Sequence, residues 1–308
     1  MKTGWRIIFL VVLVIAGVWL LMTFVPRKSQ PAKTAPGGDR LKVIATIFPL
    51  ADIAKQVGGE RVNVITILPI GASPHTFEPA PQQMKELSDS KLFLKVGAGL
   101  DFWADNIIKS ASQPDLKTVV ASEGIHLIEG DEHGHEHENG NPHIWLDPVL
   151  VKRIVDKIEK SLVILDPEGA IYYQKMATDY LQELDRLDAE IKKKVAGFRV
   201  RKYITFHPAW AYFGLRYGIK EAGVIEETPG REPTPRQVKA IIDNIRKSGI
   251  KAVFAEPQFS SRTAEAIAEN TGAKVLFLDP IGNPEVPDRN TYLNLMRYNL
   301  KVMKEAME

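Results

Sequence analysis

From Leu41 onward, short apolar runs alternate with helical windows, and one of those windows is far longer than the others. This alternation constrains the fold more than any other feature of the chain. The apolar runs fall at 42–47, 62–68, 92–96, 203–206, 252–255 and 275–278, each a compact stretch of Val, Ile, Leu and Phe. Such runs suit strands covered on both faces, as in parallel sheets. Helical windows lie between them, at 50–57, 82–88, 103–111, 148–165, 235–248 and 262–270. Strand–helix alternation of this kind implies an α/β architecture. The long window covers 167–198, with Pro167 in its first turn and Gly197 as a stop. About 30 helical residues span roughly 45 Å. Three runs precede it and three follow. The expectation is two α/β lobes with mostly parallel sheets, 41–166 and 199–308, joined by one long rigid helix. Apolar positions in the long window keep no clean heptad, against a coiled-coil arm, and a monomer is expected. No repeat of fixed period occurs.

Ahead of the body, residues 7–25 form 19 consecutive positions without a charge. As a helix this run reaches roughly 28 Å, enough to cross a bilayer core. Lys2 and Arg6 precede it, Arg27 and Lys28 follow, and no small-residue cleavage site closes it. An uncleaved signal anchor over 1–25 is therefore expected, with a cleaved signal peptide as the alternative and a buried core helix as the bland one. The flanking charges are too evenly balanced to set orientation. Residues 26–40, rich in Pro, Gly and polar side chains, read as a flexible tether.

Charge and cysteine content then exclude several functions. Six of the 40 basic residues and one of the 38 acidic ones lie in the first 40 positions, so the remainder carries a formal charge of −3. A mildly acidic body argues against nucleic acid as a partner. The absence of Cys excludes disulfides, thiolate metal sites, Cys nucleophiles and a lipid on an N-terminal Cys. Any metal must be held by His and carboxylate.

The seven histidines are of different kinds. His133, His135 and His137 sit in EGDEHGHEHENGN, an acidic loop without periodicity that could collect cations only weakly. His126 has no polar cluster around it and reads as a packing or surface residue. His75 lies in GASPHTFEP after a strand, His143 in NPHIWLDP, and His207 in ITFHPAW at a strand end. Asp279, in FLDP, puts a carboxylate at the same kind of strand terminus. In open α/β sheets ligands bind outside the carboxyl ends of strands, so four such termini can converge between the lobes. Three imidazoles and a carboxylate make a complete set of ligands for Zn²⁺. Glu256, closing the run 252–255, should approach the same crevice and orient a ligating imidazole.

At these residues the sequence resembles the zinc/manganese solute-binding proteins of ABC importers, the periplasmic zinc-binding or metal-binding adhesin-lipoprotein family. The likeness runs from about Lys42 to the C-terminus. It includes the acidic His-rich loop before NPHIWLDP, the long connecting helix and the stretch EPQFS at 256–260. It implies two lobes rigidly joined by a helix with the metal between them, capture of a divalent cation, delivery to a membrane ABC permease, and a position outside the cytoplasm. Members of the family often carry a lipobox Cys or a cleaved signal; this chain offers its anchor-like run instead.

Zinc is the expected cargo, because the third ligand is His207 where manganese-binding members commonly present a carboxylate. Mn²⁺ favours oxygen-rich, higher-coordinate shells. Manganese or iron remains the alternative, since a bidentate Asp279 could raise the coordination number. A zinc hydrolase is a weaker one: no HExxH-type helix occurs, no general base is evident, and four protein ligands would close the shell. The chain is accordingly expected not to be an enzyme. Nothing in the sequence is specific for an adhesin.

Overall fold

Two sheets of four parallel strands carry the structure, a computed structural model that describes residues 40–111, 113–129 and 140–308. The first sheet contains β1 (Leu41–Ala45), β2 (Val62–Thr66), β3 (Leu92–Lys95) and β4 (Lys117–Val120), in the order β2-β1-β3-β4. The second contains β5 (Lys202–Thr205), β6 (Lys220–Val224), β7 (Ala252–Ala255) and β8 (Lys274–Phe277), in the equivalent order β6-β5-β7-β8. Val43, between β2 and β3, pairs with Val64 and Leu92; Val253, between β5 and β8, pairs with Ile204 and Val275. Each sheet therefore reverses its strand order once, between β1 and β3 and between β5 and β7. Crevices at such reversals are the usual ligand positions of open α/β sheets.

The helices are α1 (Phe48–Gly58), α2 (Pro81–Glu86), α3 (Trp103–Ala111), α4 (Pro148–Leu165), α5 (Ala170–Val195), α6 (Ala211–Tyr217), α7 (Pro235–Ser248), α8 (Arg262–Thr271) and α9 (Tyr292–Met307). Local chemistry sets their ends. Asp147 accepts the Val149 N–H at 2.8 Å, and Pro148 occupies the first turn of α4. Thr234 and Gln237 form a capping box at the start of α7, which Gly249 ends in the left-handed conformation. The long α5 follows a 3₁₀ turn at Pro167–Gly169 and buries Tyr173, Ala177, Tyr180, Leu184, Leu187, Ile191 and Val195. Steps of three and four place these residues on one face.

The largest apolar core runs between the sheets and is shared. It joins Val43 and Leu94 of the first sheet, Ile154 and Leu187 of α4 and α5, and Tyr203, Phe254 and Met296 of the C-terminal half. Each sheet also has a smaller core on its other face, around Phe93 and Trp103 in one and around Val253 and Ile267 in the other. Polar bonds reinforce the shared core. Trp145 donates its indole N–H to the Pro280 carbonyl at 2.7 Å, Tyr292 donates its hydroxyl to the Trp145 carbonyl at 2.8 Å, and Asp52 accepts the Tyr292 N–H at 2.8 Å. Residues 40–308 accordingly form one unit.

The six expected strands are all present, with ends shifted by one or two residues, as are the expected helices. The edge strands β4 and β6 and the helices α6 and α9 are additions. KTVV and KEAGV are half-exposed strands, too polar to stand out as buried runs. No helix among the described residues is long and apolar enough to cross a membrane. The anchor expected at 7–25 and the loop histidines His133, His135 and His137 lie outside those residues.

Candidate metal centre

Three imidazoles converge where the lobes meet. His75 lies in the loop after β2, His143 just before the 3₁₀ turn Ile144–Leu146 that leads into α4, and His207 two residues beyond β5. Nε2 of His143 is 3.1 Å from Nε2 of His75 and 3.1 Å from Nε2 of His207. The three ligand nitrogens lie within 4.8 Å of one another. Neighbouring nitrogens in a tetrahedral shell with bonds of 2.0–2.1 Å stand about 3.3 Å apart, so the spacing fits a shared ion.

The far sides of two rings fix their tautomers. Asn141 donates its side-chain N–H to the Pro208 carbonyl at 2.7 Å, which leaves its Oδ1 to accept the His143 backbone N–H at 3.0 Å. His143 Nδ1 is 2.9 Å from that same oxygen, so the ring proton belongs on Nδ1. His207 Nδ1 is 2.6 Å from Glu256 Oε1, and a carboxylate there selects the same tautomer. Both residues thus turn Nε2 lone pairs toward each other at 3.1 Å. A proton on one nitrogen can satisfy one such contact; a cation satisfies all of them.

The surroundings strengthen the acceptor character. Glu256, 1 % exposed, follows β7 and has its Oε2 buried without a hydrogen-bond partner among the described residues. Glu226 follows β6 and accepts the Gly230 N–H at 2.8 Å; burial pushes its carboxyl above the usual range, against that bond and the nearby His207. Gly230, at φ +83°, lets this loop pass the His75 loop: a Cβ there would stand 3.3 Å from Thr76 Cγ2. The His75 loop is further held by Trp103, which donates to the Pro74 carbonyl at 3.1 Å and meets Phe77 edge-to-face. Phe259, Pro280 and Ile281 supply an apolar wall. The cavity that these groups line measures about 10 Å³, room for about one ion or water.

Of the expected site residues, the structure brings His75, His143 and His207 together and puts Glu256 behind His207. Asp279 is not in the cluster. It follows β8, but Arg289, Gln258 and two backbone N–H groups take up its carboxylate. Sequence reasoning did not single out Asn141, Glu226, Gln258 or Arg289. Asn141, two residues before His143 in the same Pro-bounded segment, and Gln258, inside EPQFS, carried a local signal.

A bilobal α/β molecule with a cleft lined by imidazoles and sized for one ion has the architecture of a metal-binding solute receptor. The family described as "Zinc-uptake complex component A periplasmic" (ZnuA) matches residues 43–306, and the chain belongs to it. The chain is 29% identical over 306 residues to the high-affinity zinc uptake system protein ZnuA of Bacillus subtilis (strain 168), covering 96% of each. It is 30% identical over 288 residues to the manganese ABC transporter substrate-binding lipoprotein PsaA of Streptococcus anginosus, covering 89% of this chain and 92% of that one. A crystal structure of ZnuA superposes with a TM-score of 0.80 at 31% identity, over 88% of this chain and 100% of the other.

Proposed function

We propose that this chain captures Zn²⁺ outside the cytoplasm, through His75, His143 and His207, and delivers it to the membrane permease of an ABC importer. The observation that carries this reading is the pair of tautomer locks, Asn141 on His143 and Glu256 on His207, which hold the ring protons on Nδ1 and turn both Nε2 atoms to one point. Imidazole-rich shells suit zinc better than manganese, which takes more oxygen ligands. His75 is half-buried while His143 and His207 are buried, so the ion enters and leaves past His75. The bonds between the lobes preorganise the ligands before the ion arrives.

A carrier is favoured over a hydrolase because the relatives that the chain matches are named as metal-uptake and substrate-binding proteins. The family description includes the word periplasmic, and the Streptococcus anginosus relative is named a lipoprotein; both support a place outside the cytoplasm. With no Cys to carry a lipid, the run 7–25 is the proposed anchor and 26–40 the tether of a monomeric capture unit. The test is equilibrium competition at pH 7 on the EDTA-stripped full chain. One equivalent of zinc should be retained against equimolar Mn²⁺ by a wide margin. Retention of Mn²⁺ instead overturns the choice of metal, and failure to hold either ion overturns the reading.

A further inference from the structure

Asp279 stands beside the imidazole cluster with both oxygens of its carboxylate hydrogen-bonded. It is 1 % exposed. Oδ1 accepts the backbone N–H groups of Ile281 at 3.0 Å and Gly282 at 2.9 Å, and the side-chain N–H of Gln258 at 3.0 Å. Oδ2 accepts from Arg289 Nη1 at 2.8 Å. Oδ1 is thus shared among three N–H groups, and Oδ2, the oxygen with the single donor, is the one Arg289 holds. The main chain is equally fixed: Asn299 of α9 accepts the Asp279 N–H at 2.8 Å and donates to its carbonyl at 2.7 Å. The next two residues, Pro280 and Ile281, face the cleft in its place.

Arg289 comes from the 3₁₀ turn Pro287–Arg289, ten residues past Asp279. Its guanidinium lies 5.1 Å from the centre of the Tyr298 ring, and its side chain is 19 % exposed. Three of the four donors on Asp279 are neutral. Arg289 supplies the only charged one among the described residues, and an ionic hydrogen bond of this kind is about twice as strong as a neutral one. Gln258 lines the cleft and also touches Asp279, so the carboxylate is one side chain away from the imidazoles.

We propose that Arg289 is a specificity-determining residue: by pairing with Asp279 it withholds a carboxylate from the ion and keeps the shell rich in nitrogen. Mn²⁺ gains from added oxygen ligands more than Zn²⁺ does, so withholding Asp279 penalises manganese selectively. The inference rests on the three-imidazole reading of the site.

The experiment uses the full chain with Zn²⁺ and Mn²⁺ as probes. Asp279→Asn should leave zinc affinity within about threefold of wild type, whereas loss of a true ligand costs more than the 10–100-fold typical of supporting residues. Arg289→Met should narrow the zinc-over-manganese ratio by about tenfold or more. The double variant, with no carboxylate to release, should recover the wild-type ratio. An Arg289→Met ratio equal to wild type overturns the proposal, as does a tenfold loss of zinc affinity in a folded Asp279→Asn. A crystal structure of the zinc-loaded wild type needs no variant to fold: an intact Asp279–Arg289 pair supports the latch, and an Asp279 oxygen bonded to zinc refutes it. His143→Ala separates the two claims. If that variant binds zinc as wild type does, the imidazole site itself is wrong and the latch falls with it. If it loses zinc while Arg289→Met changes nothing, only the latch fails.

Discussion

A proton held on Nδ1 leaves Nε2 free to ligate, so the group that fixes that proton governs metal affinity through the ring. Glu256 stands in this relation to His207 at 2.6 Å, and Asn141 to His143 at 2.9 Å. Glu256→Gln tests the principle with almost no change of shape. A glutamine amide can donate to Nδ1 and so favour the tautomer with its proton on Nε2. Zinc affinity should fall about 10–100-fold while the melting temperature of the metal-free protein barely moves. Unchanged affinity would show that Glu256 is not what orients His207. Legibility differed sharply among these residues. His75, His143 and His207 could be read from Pro-bounded loops at element ends, and Glu256 from its position closing a strand. Arg289 could not: a surface-type arginine ten residues past Asp279 gains its meaning only because the chain turns back at Pro287–Arg289.

At the scale of elements, the junction of α4 and α5 depends on one acidic residue. Asp166 Oδ2 accepts from Arg61 and from the Tyr173 hydroxyl, each at 2.7 Å, which ties the start of β2 to the entry of the long helix. Arg61 holds the Asp166 carboxyl below the usual range despite the opposing effect of burial. A depressed folded-state value means stability that is present above the unfolded value and is lost as pH falls through the folded one. Arg61→Ala should therefore cost about 1–2 kcal/mol near pH 7. Below about pH 5 the gap between variant and wild type in urea denaturation should narrow as Asp166 becomes protonated in both. A gap of constant size down to pH 2.5 would assign the loss to packing of the arginine stem instead. The elements themselves were legible where burial was two-sided or capping was strong, as in β7 and α4. The helix α9 carries a readable period through Tyr292, Leu295, Met296, Leu300 and Met303, yet was not among the expected windows.

For the whole molecule, the shared core decides how the lobes behave. With Phe254 and Met296 in the same apolar cluster as Val43 and Leu94, neither lobe can lose its packing alone. Calorimetry of the metal-free protein should show one cooperative transition for residues 40–308, although a chain this long commonly shows more than one. Zinc at a hundred times its dissociation constant adds about 2.7 kcal/mol to the folded state, a rise of roughly 5 °C in Tm. Two separate calorimetric peaks would contradict the shared core. A single peak that zinc does not move would contradict the metal site.

The sequence by itself determined the fold class, the position of the joining helix and the three imidazoles, because each is written in local pattern: burial period, capping residues and Pro-bounded loops at strand ends. Tertiary structure decided the fate of Asp279. A carboxylate at a strand terminus can face a cation or an arginine with equal local propriety. Which it faces depends on Arg289, Gln258 and Asn299, brought from three other elements to the same few ångströms. Local pattern is a property of neighbours along the chain, whereas a ligand shell is a competition among groups that only folding makes neighbours.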